Sequence, residues 1–386
     1  MIFSTRIIVQ RDNDNKDKYY PQVVSVRTNE TYPWSCKTAE IEIITNTSSG
    51  TADYISPIRK GDIVRLQVSV RYSATEKTVW EDIFEGRIEG INSSFGTGGN
   101  NTTLSCKGHD EECLYKGITA DYSASAAKTG AMLSALQTAY LTRITDAAPS
   151  LIDSADSSAI AEYNIQKHTR YFADAIRDFE AFEGYAYQYS VVPTYDSAGN
   201  LSAVYGSWQP VPTAASSKVK VIEDKTLLSA RFESTLSGLV NDVTQYGLSG
   251  TPQKTGNATD ATSIAAYNTR HHFTTDLTLA TDALCLSLAT AIKTQSVEAS
   301  GTSRGHVTIL GNPNVTPGTL VYHRIPSIVV DGSSIDGNYR ISRVSHTIDN
   351  SGWTTDLDVG ELILTDNDIM ADFHTKNRLN NSNLVD

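Results

Sequence analysis

The sequence is poor in cysteine and in basic residues, and each shortage excludes a class of protein. Its 386 residues include four cysteines, too few and too scattered for a disulfide framework. Lys and Arg total 32 against 44 Asp and Glu, which gives a formal net charge of −12. Because an acidic chain lacks the basic face that neutralises DNA phosphates, we expect no sequence-specific nucleic-acid binding.

Long apolar runs are also missing. No run approaches the ~18 apolar residues that a membrane-spanning helix needs, so we expect no membrane anchor. The segment Met1–Arg6 lacks the charged and apolar regions of a secretory signal, which predicts folding in a cytoplasm. Hydrophobic residues still make up 39% of the chain, enough to build the cores of a folded protein.

The segment Cys106–Cys113 concentrates residue types that bind metals. Cys106, His109 and Cys113 supply three donors, whereas a structural zinc site has four and usually pairs its ligands. Two interpretations therefore stay open, a metal site and buried thiols at a strand end, and the spacing favours the second. The glycine-rich Gly96–Asn101 precedes a strand and lacks the Gly-Lys-Ser/Thr of a phosphate loop, so we expect no cofactor.

Catalytic motifs are absent from the sequence. It has neither the Gly-x-Ser-x-Gly turn of many hydrolases nor a His-Glu-x-x-His zinc motif. His271 and His272 are adjacent on a predicted strand and should face opposite sides, so they should not share a metal. Two acidic groups have the residue types of a glycosidase, and we interpret them as solvated faces of a strand and a helix: Glu81, Asp82 and Glu85, and Asp178, Glu180 and Glu183. The sequence thus predicts no catalytic residue and a protein that is not an enzyme.

The first part of the chain has the residue pattern of β-structure. Val64–Tyr72 alternates between apolar and polar residues, which predicts a strand with one buried face, carrying Val68, and one face in water. The next predicted strand is Val79–Ile91, where Gly86 and Gly90 indicate bends or bulges.

The middle of the chain changes to the helical period. Apolar residues at helical spacing predict helices over 133–140 and over 172–179, the second ending at Gly184. A strand is predicted over Tyr185–Val192, with Tyr185, Tyr187 and Tyr189 on one side, and we interpret this row as cross-strand packing rather than a sugar platform. A linker-like loop is predicted over 209–217.

From about residue 223 the pattern is β-rich again. One helix is predicted from the stripe Leu277, Leu284, Leu288 and Ile292. The strands that follow are separated by turn-forming residues and are predicted at Val307–Leu310, Thr319–Tyr322, Tyr339–Ser345 and Thr354–Leu364.

These patterns predict a β-rich α+β chain made of four segments. They are a first β-domain at 1–125, an α/β connecting domain at 126–222, a second β-domain with one helix at 223–365, and a polar C-terminal arm at 366–386.

Three stretches carry a resemblance to a known family. They are Gly61–Leu66 with Ile83–Ile91, Tyr171–Tyr187 with Leu239–Gly247, and Val307–Pro313 with Pro317–Val321, Gly337–Ile348 and Trp353–Leu357. Together they resemble the baseplate hub family of tailed phages and related contractile injection systems, the late control protein D-like family.

The resemblance implies a fold, an assembly and a location. The fold would be two tail-tube-like β-barrels joined by an α/β segment. The assembly would be a homotrimeric ring whose six barrels adapt the sixfold tail tube to a threefold spike or tip, with a lumen for genome passage. The implied partners are the tail tube protein and, since the sequence has no repetitive β-helix, a separate spike or tip protein; a tape-measure protein is a further candidate. The protein would be assembled in the host cytoplasm and located in the virion, at the tail baseplate.

Two other functions stay open at this point. One is another tail-tip component, such as a distal tail or tube-completion protein, which would have a single barrel. The other is a carbohydrate-binding or glycan-cleaving β-protein, suggested by 19 tyrosines and scattered carboxylates.

Overall fold

The computed structural model describes most of the chain. The described residues are 2–12, 18–44, 58–71, 79–96, 99–145, 152, 157, 159–234, 236, 239–250, 252–277, 279, 281–300, 304–330 and 332–360. The predicted C-terminal arm at 366–386 lies outside them, as does Tyr72. No helix in these ranges combines the length and apolar character that crossing a bilayer demands.

The N-terminal strands build what we call the N-terminal half-sheet. Its strands are β1 (Ile2–Gln10), β2 (Lys18–Tyr19), β3 (Gln22–Thr31), β4 (Thr38–Ile44), β5 (Ile63–Arg71), β6 (Glu81–Gly96) and β7 (Gly99–Gly108). They lie in the order β2-β1-β5-β6-β7-β4-β3, and neighbours are antiparallel. Its core includes Ile41, Leu66, Val68 and Leu104, all fully buried.

Two glycines of β6 occupy special positions, and the bulge that the sequence predicts is present. A Cβ atom at Gly86 would lie 2.0 Å from the carbonyl oxygen of Lys107, so no other residue fits where β6 crosses β7. The pairing register with β7 shifts between Ile88 and Gly90, which is a bulge.

The predicted water-facing side of β5 is wrong in part. Gln67 and Ser69 are each only 2% exposed. Arg6 on the neighbouring strand covers Gln67 and donates a hydrogen bond from Nε to its Oε1 at 2.7 Å. Strand alternation separates two faces, but it does not say whether the polar face is covered by other parts of the chain.

A central α/β unit follows. Its elements are α1 (Glu111–Tyr115), β8 (Tyr122–Lys128), α2 (Thr129–Tyr140), β9 (Ile144–Thr145), β10 (Ala159–Ile165), α3 (Phe172–Phe182), β11 (Tyr187–Tyr195) and β12 (Leu201–Pro210). The strands form two small sheets, β10-β8 and β11-β12-β9. Helices α2 and α3 confirm the predicted helical stripes, and Gly184 follows α3 with a φ of 61°, as a C′ residue does.

The central core reaches further towards the N-terminus than expected. Cys113 and Ile118 are buried in it together with residues of α2 and α3, and β8 pairs with β10. Their packing favours a boundary near the end of β7 over one at residue 125. The division of the chain into domains otherwise stays a prediction.

The predicted row of tyrosines is right for two of its three residues. Tyr187 and Tyr189 lie on β11 and are buried, and Tyr187 stacks on Trp208 with ring centroids 5.7 Å apart. They therefore pack in the core and form no open platform. The prediction is wrong for Tyr185, which adopts a φ of 59° in the turn after α3 and precedes β11.

The C-terminal strands build the C-terminal half-sheet, and a small unit is inserted in it. The half-sheet consists of β13 (Ala215–Ile222), β14 (Leu227–Glu233), β18 (Arg304–Leu310), β19 (Leu320–Val330), β20 (Ser333–Asp349) and β21 (Gly352–Val359). The inserted unit consists of β15 (Asp242–Tyr246), β16 (Thr255–Thr259), α4 (Ala261–Tyr267), β17 (His271–Thr275) and α5 (Asp282–Ser300).

The four strands predicted for this region exist, and the first three have different ends from those predicted; residues 361–364 of the fourth lie outside the described residues. The predicted loop at 209–217 is right only for residues 211–214, since β12 runs to Pro210 and β13, which pairs with β19, begins at Ala215. The predicted helical stripe is confirmed for Leu288 and Ile292, which are fully buried in α5. The prediction is wrong for Leu277, which precedes the helix and is 56% exposed.

The two half-sheets have the same strand order. If the short β2 is set aside and strands are counted along the chain within each half, both read first-fourth-fifth-sixth-third-second. These orders are β1-β5-β6-β7-β4-β3 and β13-β19-β20-β21-β18-β14. One difference is the direction of the first strand, since β1 is antiparallel to β5 whereas β13 is parallel to β19.

Local irregularities repeat as well. Gly61 N–H donates to the Ile88 carbonyl at 2.7 Å, and Gly318 N–H donates to the Ile341 carbonyl at 2.8 Å. Both glycines have positive φ, 89° and 81°. Each fifth strand then shifts register against the sixth directly after this isoleucine, between Ile88 and Gly90 and between Ile341 and Arg343.

The burial of β5 gives a direct test of the facing of the N-terminal half-sheet. Val68→Asp should destabilise the protein by on the order of 4 kcal/mol, because it places a carboxylate in an apolar core. Val79→Asp is the matched control, since Val79 is 60% exposed. Thermal unfolding should show a large fall in melting temperature for Val68→Asp and little change for Val79→Asp. Equal melting temperatures would show that the buried and exposed faces of β5 are assigned the wrong way round.

Candidate functional site: the junction of the two half-sheets

Strands β3 and β20 join the two half-sheets into one 13-stranded sheet. They are antiparallel, with Thr31 opposite Arg343 and Val26 opposite Ile348. β20 is long enough to pair with β19 along its first part and with β3 along its second. The junction is therefore continuous backbone pairing, and we call it the β3–β20 junction.

Side chains reinforce this pairing. Ser345 Oγ donates to the Thr28 carbonyl at 2.7 Å, and the His346 N–H donates to Thr28 Oγ1 at 3.3 Å. Just beyond β3, the Tyr32 N–H donates to the Ser342 carbonyl at 2.8 Å. Ile348 from β20 is buried in the core of the N-terminal half-sheet, so the two halves share apolar packing as well.

His346 sits inside the junction as an uncharged residue. It is 5% exposed, and its Nδ1 lies 2.9 Å from Thr355 Oγ1. Burial lowers its pKa to about 4, because the imidazolium would lose its hydration. The junction consequently carries a neutral imidazole at neutral pH.

The loop after β3 connects the junction to the central unit. Trp34 is 6% exposed and belongs to the central core. Its indole Nε1–H donates to Asp110 Oδ2 at 3.1 Å, and its backbone N–H donates to Glu180 Oε2 at 3.1 Å. The other carboxyl oxygen of Glu180 accepts the Tyr189 N–H at 3.1 Å. One carboxyl group thus ties α3, β11 and the Trp34 loop together.

Glu180 contradicts its interpretation as part of a solvated helix face. It is 1% exposed, and burial raises its pKa to about 8. Burial also raises the pKa of Asp110 to about 6. Both carboxyl groups belong to the packing between units, and neither is exposed to a substrate.

The strand carboxylates are likewise engaged. Arg65 Nε and Nη2 donate to the two oxygens of Asp82 at 2.6 Å each, and the guanidinium lies 3.8 Å from the ring centre of Tyr195. Burial raises the pKa of Glu85 to about 7. Glu81 is exposed, as predicted. Asp82 and Glu85, by contrast, line a cavity between β6 and β11 of the central unit.

Asp178 and Glu183 on and after α3 are also paired. Arg170 Nη1 donates to Asp178 Oδ2, and the Tyr163 hydroxyl donates to the same oxygen at 3.1 Å. Thr129 Oγ1 donates to Glu183 Oε1. These contacts tie the carboxylates to the fold of the central unit.

A cavity of about 110 Å³ lies where the three parts of the chain meet. Its walls come from β6, β11, β20 and the loop before β19, and they include Glu85, Gln188, Val315 and His346. In the described ranges no group of three or more His, Cys, Asp or Glu side chains is arranged to hold a metal ion. The cavity is a polar seam between units.

The Cys106–Cys113 segment is divided between two cores. Cys106 lies on β7 in the N-terminal core, and Cys113 lies on α1 in the central core. His109 between them is 7% exposed, and burial lowers its pKa to about 3. The structure does not bring the three together as a ligand set; both thiols are packed in cores.

The histidine pair behaves as adjacent strand residues should. His271 and His272 lie on β17 with alternating exposure. His271 Nδ1 lies 2.8 Å from Asp242 Oδ2, and its ring stacks on Phe273 with centroids 5.9 Å apart. The prediction that they face opposite sides is confirmed.

Comparison with known proteins rests on structure alone. No protein-family model matches the chain, and no curated protein matches its sequence. Among solved structures, the 43 kDa tail protein of prophage MuSo2 from Shewanella oneidensis has a TM-score of 0.61 at 12% identity, covering 94% of this chain and 99% of that one. A tail protein from Neisseria meningitidis has a TM-score of 0.58 at 10% identity, covering 94% and 97%.

A third similar structure comes from a larger chain. A chain of the Francisella PdpA–VgrG complex has a TM-score of 0.55 at 9% identity, and the match covers 94% of this chain but 58% of that one. The present protein therefore has the fold of phage tail proteins over nearly its whole length. The resemblance predicted from the sequence is confirmed at the level of the fold.

Glu180 makes the joint between units sensitive to pH. Its pKa is raised in the folded protein, so the unfolded chain releases this proton first and folding becomes less favourable as pH rises from about 4.5 to about 8. Glu180→Gln removes this titration. The melting temperature of wild type should therefore fall relative to that of the variant as the pH rises from 5 to 8.5. A difference that stays constant over this range would show that Glu180 does not titrate there.

Proposed function

We propose that the protein is a structural hub of a phage tail baseplate. Three copies form a ring that adapts the sixfold tail tube to a threefold spike or tip. The observation that carries this proposal is the repeated strand order, because two like units in one chain give six like units in a trimer. The fold shared with the Shewanella and Neisseria tail proteins supports it.

In this proposal each half-sheet is one tail-tube-like barrel. β1 contacts β3 in the N-terminal half, and β14 contacts β19 in the C-terminal half, so each half-sheet curls back towards its own edge. The central unit is the α/β connection between them. The β3–β20 junction holds the barrels side by side, as neighbouring subunits of a tube would stand.

The acidic composition agrees with a channel for the genome. With a net charge of −12 per chain, carboxylates around a lumen would repel DNA phosphates, and the genome would slide through without sticking. The hub would work without catalysis, bound to the tail tube protein on one face and to a separate spike or tip protein on the other. A tape-measure protein is a further partner, and the location would be the virion baseplate, after assembly in the host cytoplasm.

Two other functions are less well supported. A distal tail or tube-completion protein with one barrel would not need the second half-sheet. A glycan-cleaving protein would need two available carboxyl groups in an aromatic cleft, whereas Asp82, Asp178 and Glu180 are engaged in contacts within the protein.

The oligomeric state tests the proposal. The purified protein, alone or with its tube and tip partners, should form a trimer by light scattering, because each barrel needs a neighbour to complete a ring. A particle that stays monomeric with both partners present would contradict it.

The polar segment 366–386 tests the arm that we assign to it. Removing these residues should weaken assembly more than folding, since the segment carries few apolar side chains to bury in a core. Trimer dissociation and thermal unfolding of the truncated chain should be compared with wild type. If the melting transition of the isolated chain collapses, the segment belongs to a core and is no arm.

A further inference from the structure

The chain carries a second pair of strand edges that corresponds to the β3–β20 junction, and no described strand pairs with them. β3 is the second strand of its half-sheet and β20 is the fifth strand of the other. The corresponding strands of the opposite halves are β14, the second, and β6, the fifth. If the halves are equivalent, β14 and β6 carry the complementary surfaces of a second junction.

The free edge of β6 occupies the position, within its own half-sheet, at which β20 pairs with β3. β5 pairs with β6 from Glu81 to Arg87, and the last backbone bonds on that side reach Ile88. From Glu89 onward, no described strand pairs with this edge, although β6 continues to Gly96 and pairs with β7 on its other side. Glu89 and the residues 92–94 are exposed.

The free edge of β14 corresponds to the edge of β3 that pairs with β20. β14 pairs with β18 on one side, and within the described part of the chain it ends the sheet. Arg231 and Glu233 project from it with side chains 84% and 59% exposed. An open strand edge of this kind presents unpaired N–H and C=O groups and readily pairs with another chain.

Each free edge can be aligned, residue by residue, with its counterpart in the β3–β20 junction: β14 with β3, and β6 with β20. β3 shifts register against β4 between Val23 and Ser25, and β14 shifts against β18 between Leu227 and Ser229. Aligning these bulges makes Val26 equivalent to Ala230. Aligning the bulges of the fifth strands makes Arg343 equivalent to Gly90.

Local chemistry supports the alignment of the fifth strands. Arg87 Nη1 donates to the Gly61 carbonyl at 2.9 Å, and Arg340 Nη1 donates to the Gly318 carbonyl at 2.7 Å. Each arginine directly precedes the isoleucine that bonds the same glycine through its backbone. The free edge of β6 and the β3-pairing edge of β20 therefore begin at equivalent positions, each directly after one of these two equivalent turns.

We propose that β14 of one copy pairs with residues 92–94 of β6 in the next copy of this chain. The inference rests on the proposed function, because it describes how the trimeric ring closes. Transferring the register of the β3–β20 junction places Asn92 opposite Glu233 and Ser94 opposite Arg231, antiparallel. Contacts within and between chains then alternate around a ring of six units, as closed heterologous assembly requires.

The transferred register also predicts which pairs lie closest. The Tyr32 N–H bonds the Ser342 carbonyl, so residues one step along, such as Thr31 and Arg343, form a pair that exchanges no backbone hydrogen bonds. Asn92 with Glu233, and Ser94 with Arg231, are the equivalents of such pairs. Their Cα atoms should be about 4.5 Å apart, within the range of a disulfide.

Cysteine cross-linking tests this register in the full chain. Asn92→Cys with Glu233→Cys, and separately Ser94→Cys with Arg231→Cys, should give covalent trimers on mild oxidation, seen on non-reducing gels. Each single variant alone should stay uncross-linked, and mixing the two single variants of a pair should give covalent dimers. Ser93→Cys with Glu233→Cys is the out-of-register control, since residue 93 faces the other side of the strand.

The outcomes separate this inference from the proposed function. A trimer by light scattering in which neither in-register pair cross-links overturns the β14–β6 contact and leaves the hub proposal standing. Equal cross-linking of the out-of-register pair also overturns the assigned register. A protein that never forms a trimer overturns both. Because all four substituted positions are exposed, the melting temperature of the reduced variants should equal that of wild type.

Discussion

Backbone pairing between β3 and β20 brings together two ends of the chain that are more than three hundred residues apart in sequence. Closing the long stretch of chain between them costs conformational entropy, and this cost grows only slowly with loop length. The shared core offsets part of the cost, since Ile348 and Trp353 from the C-terminal half pack among the residues of the N-terminal half. The orientation of the two half-sheets depends on this contact.

The central unit holds that orientation from a second side. Trp34 leaves the end of β3 and enters the central core, where Glu180 and Asp110 accept its two N–H groups. Buried polar contacts of this kind add little net stability, but breaking one leaves a desolvated group without a partner and is costly. They fix direction where apolar packing would allow sliding. Raised pKa values at Glu180, Glu85 and Asp110 are the consequence of placing carboxyl groups in this seam.

Much of the fold could be predicted from local sequence. Alternation and helical periodicity predict β5, α2 and α3, and Gly90 predicts the bulge of β6, because each of these signals depends on near neighbours. Glu180 could not be interpreted correctly, since a carboxylate on a helix looks the same whether water or a distant Trp34 loop covers it. Leu277 matched a helical stripe by spacing alone, and Tyr185 matched a strand that begins two residues later.

The repeated strand order of the two half-sheets cannot be recognised from the sequence, for a related reason. Equivalent positions on β6 and β20 share Arg87 with Arg340 and Ile88 with Ile341, but Gly86 stands where the other half has Tyr339. What repeats is strand order and the position of bulges, which the backbone defines and many side chains satisfy. The candidate junction depends on pairing between distant strands, so only the structure could locate it.

Electron cryomicroscopy of the assembled protein, averaged without imposed symmetry, tests the central claim most directly. The account predicts a ring with an open pore, threefold symmetry and six similar β-units around the pore. A particle without a pore, or a ring in which the two half-sheets of each chain occupy unrelated positions, would contradict it.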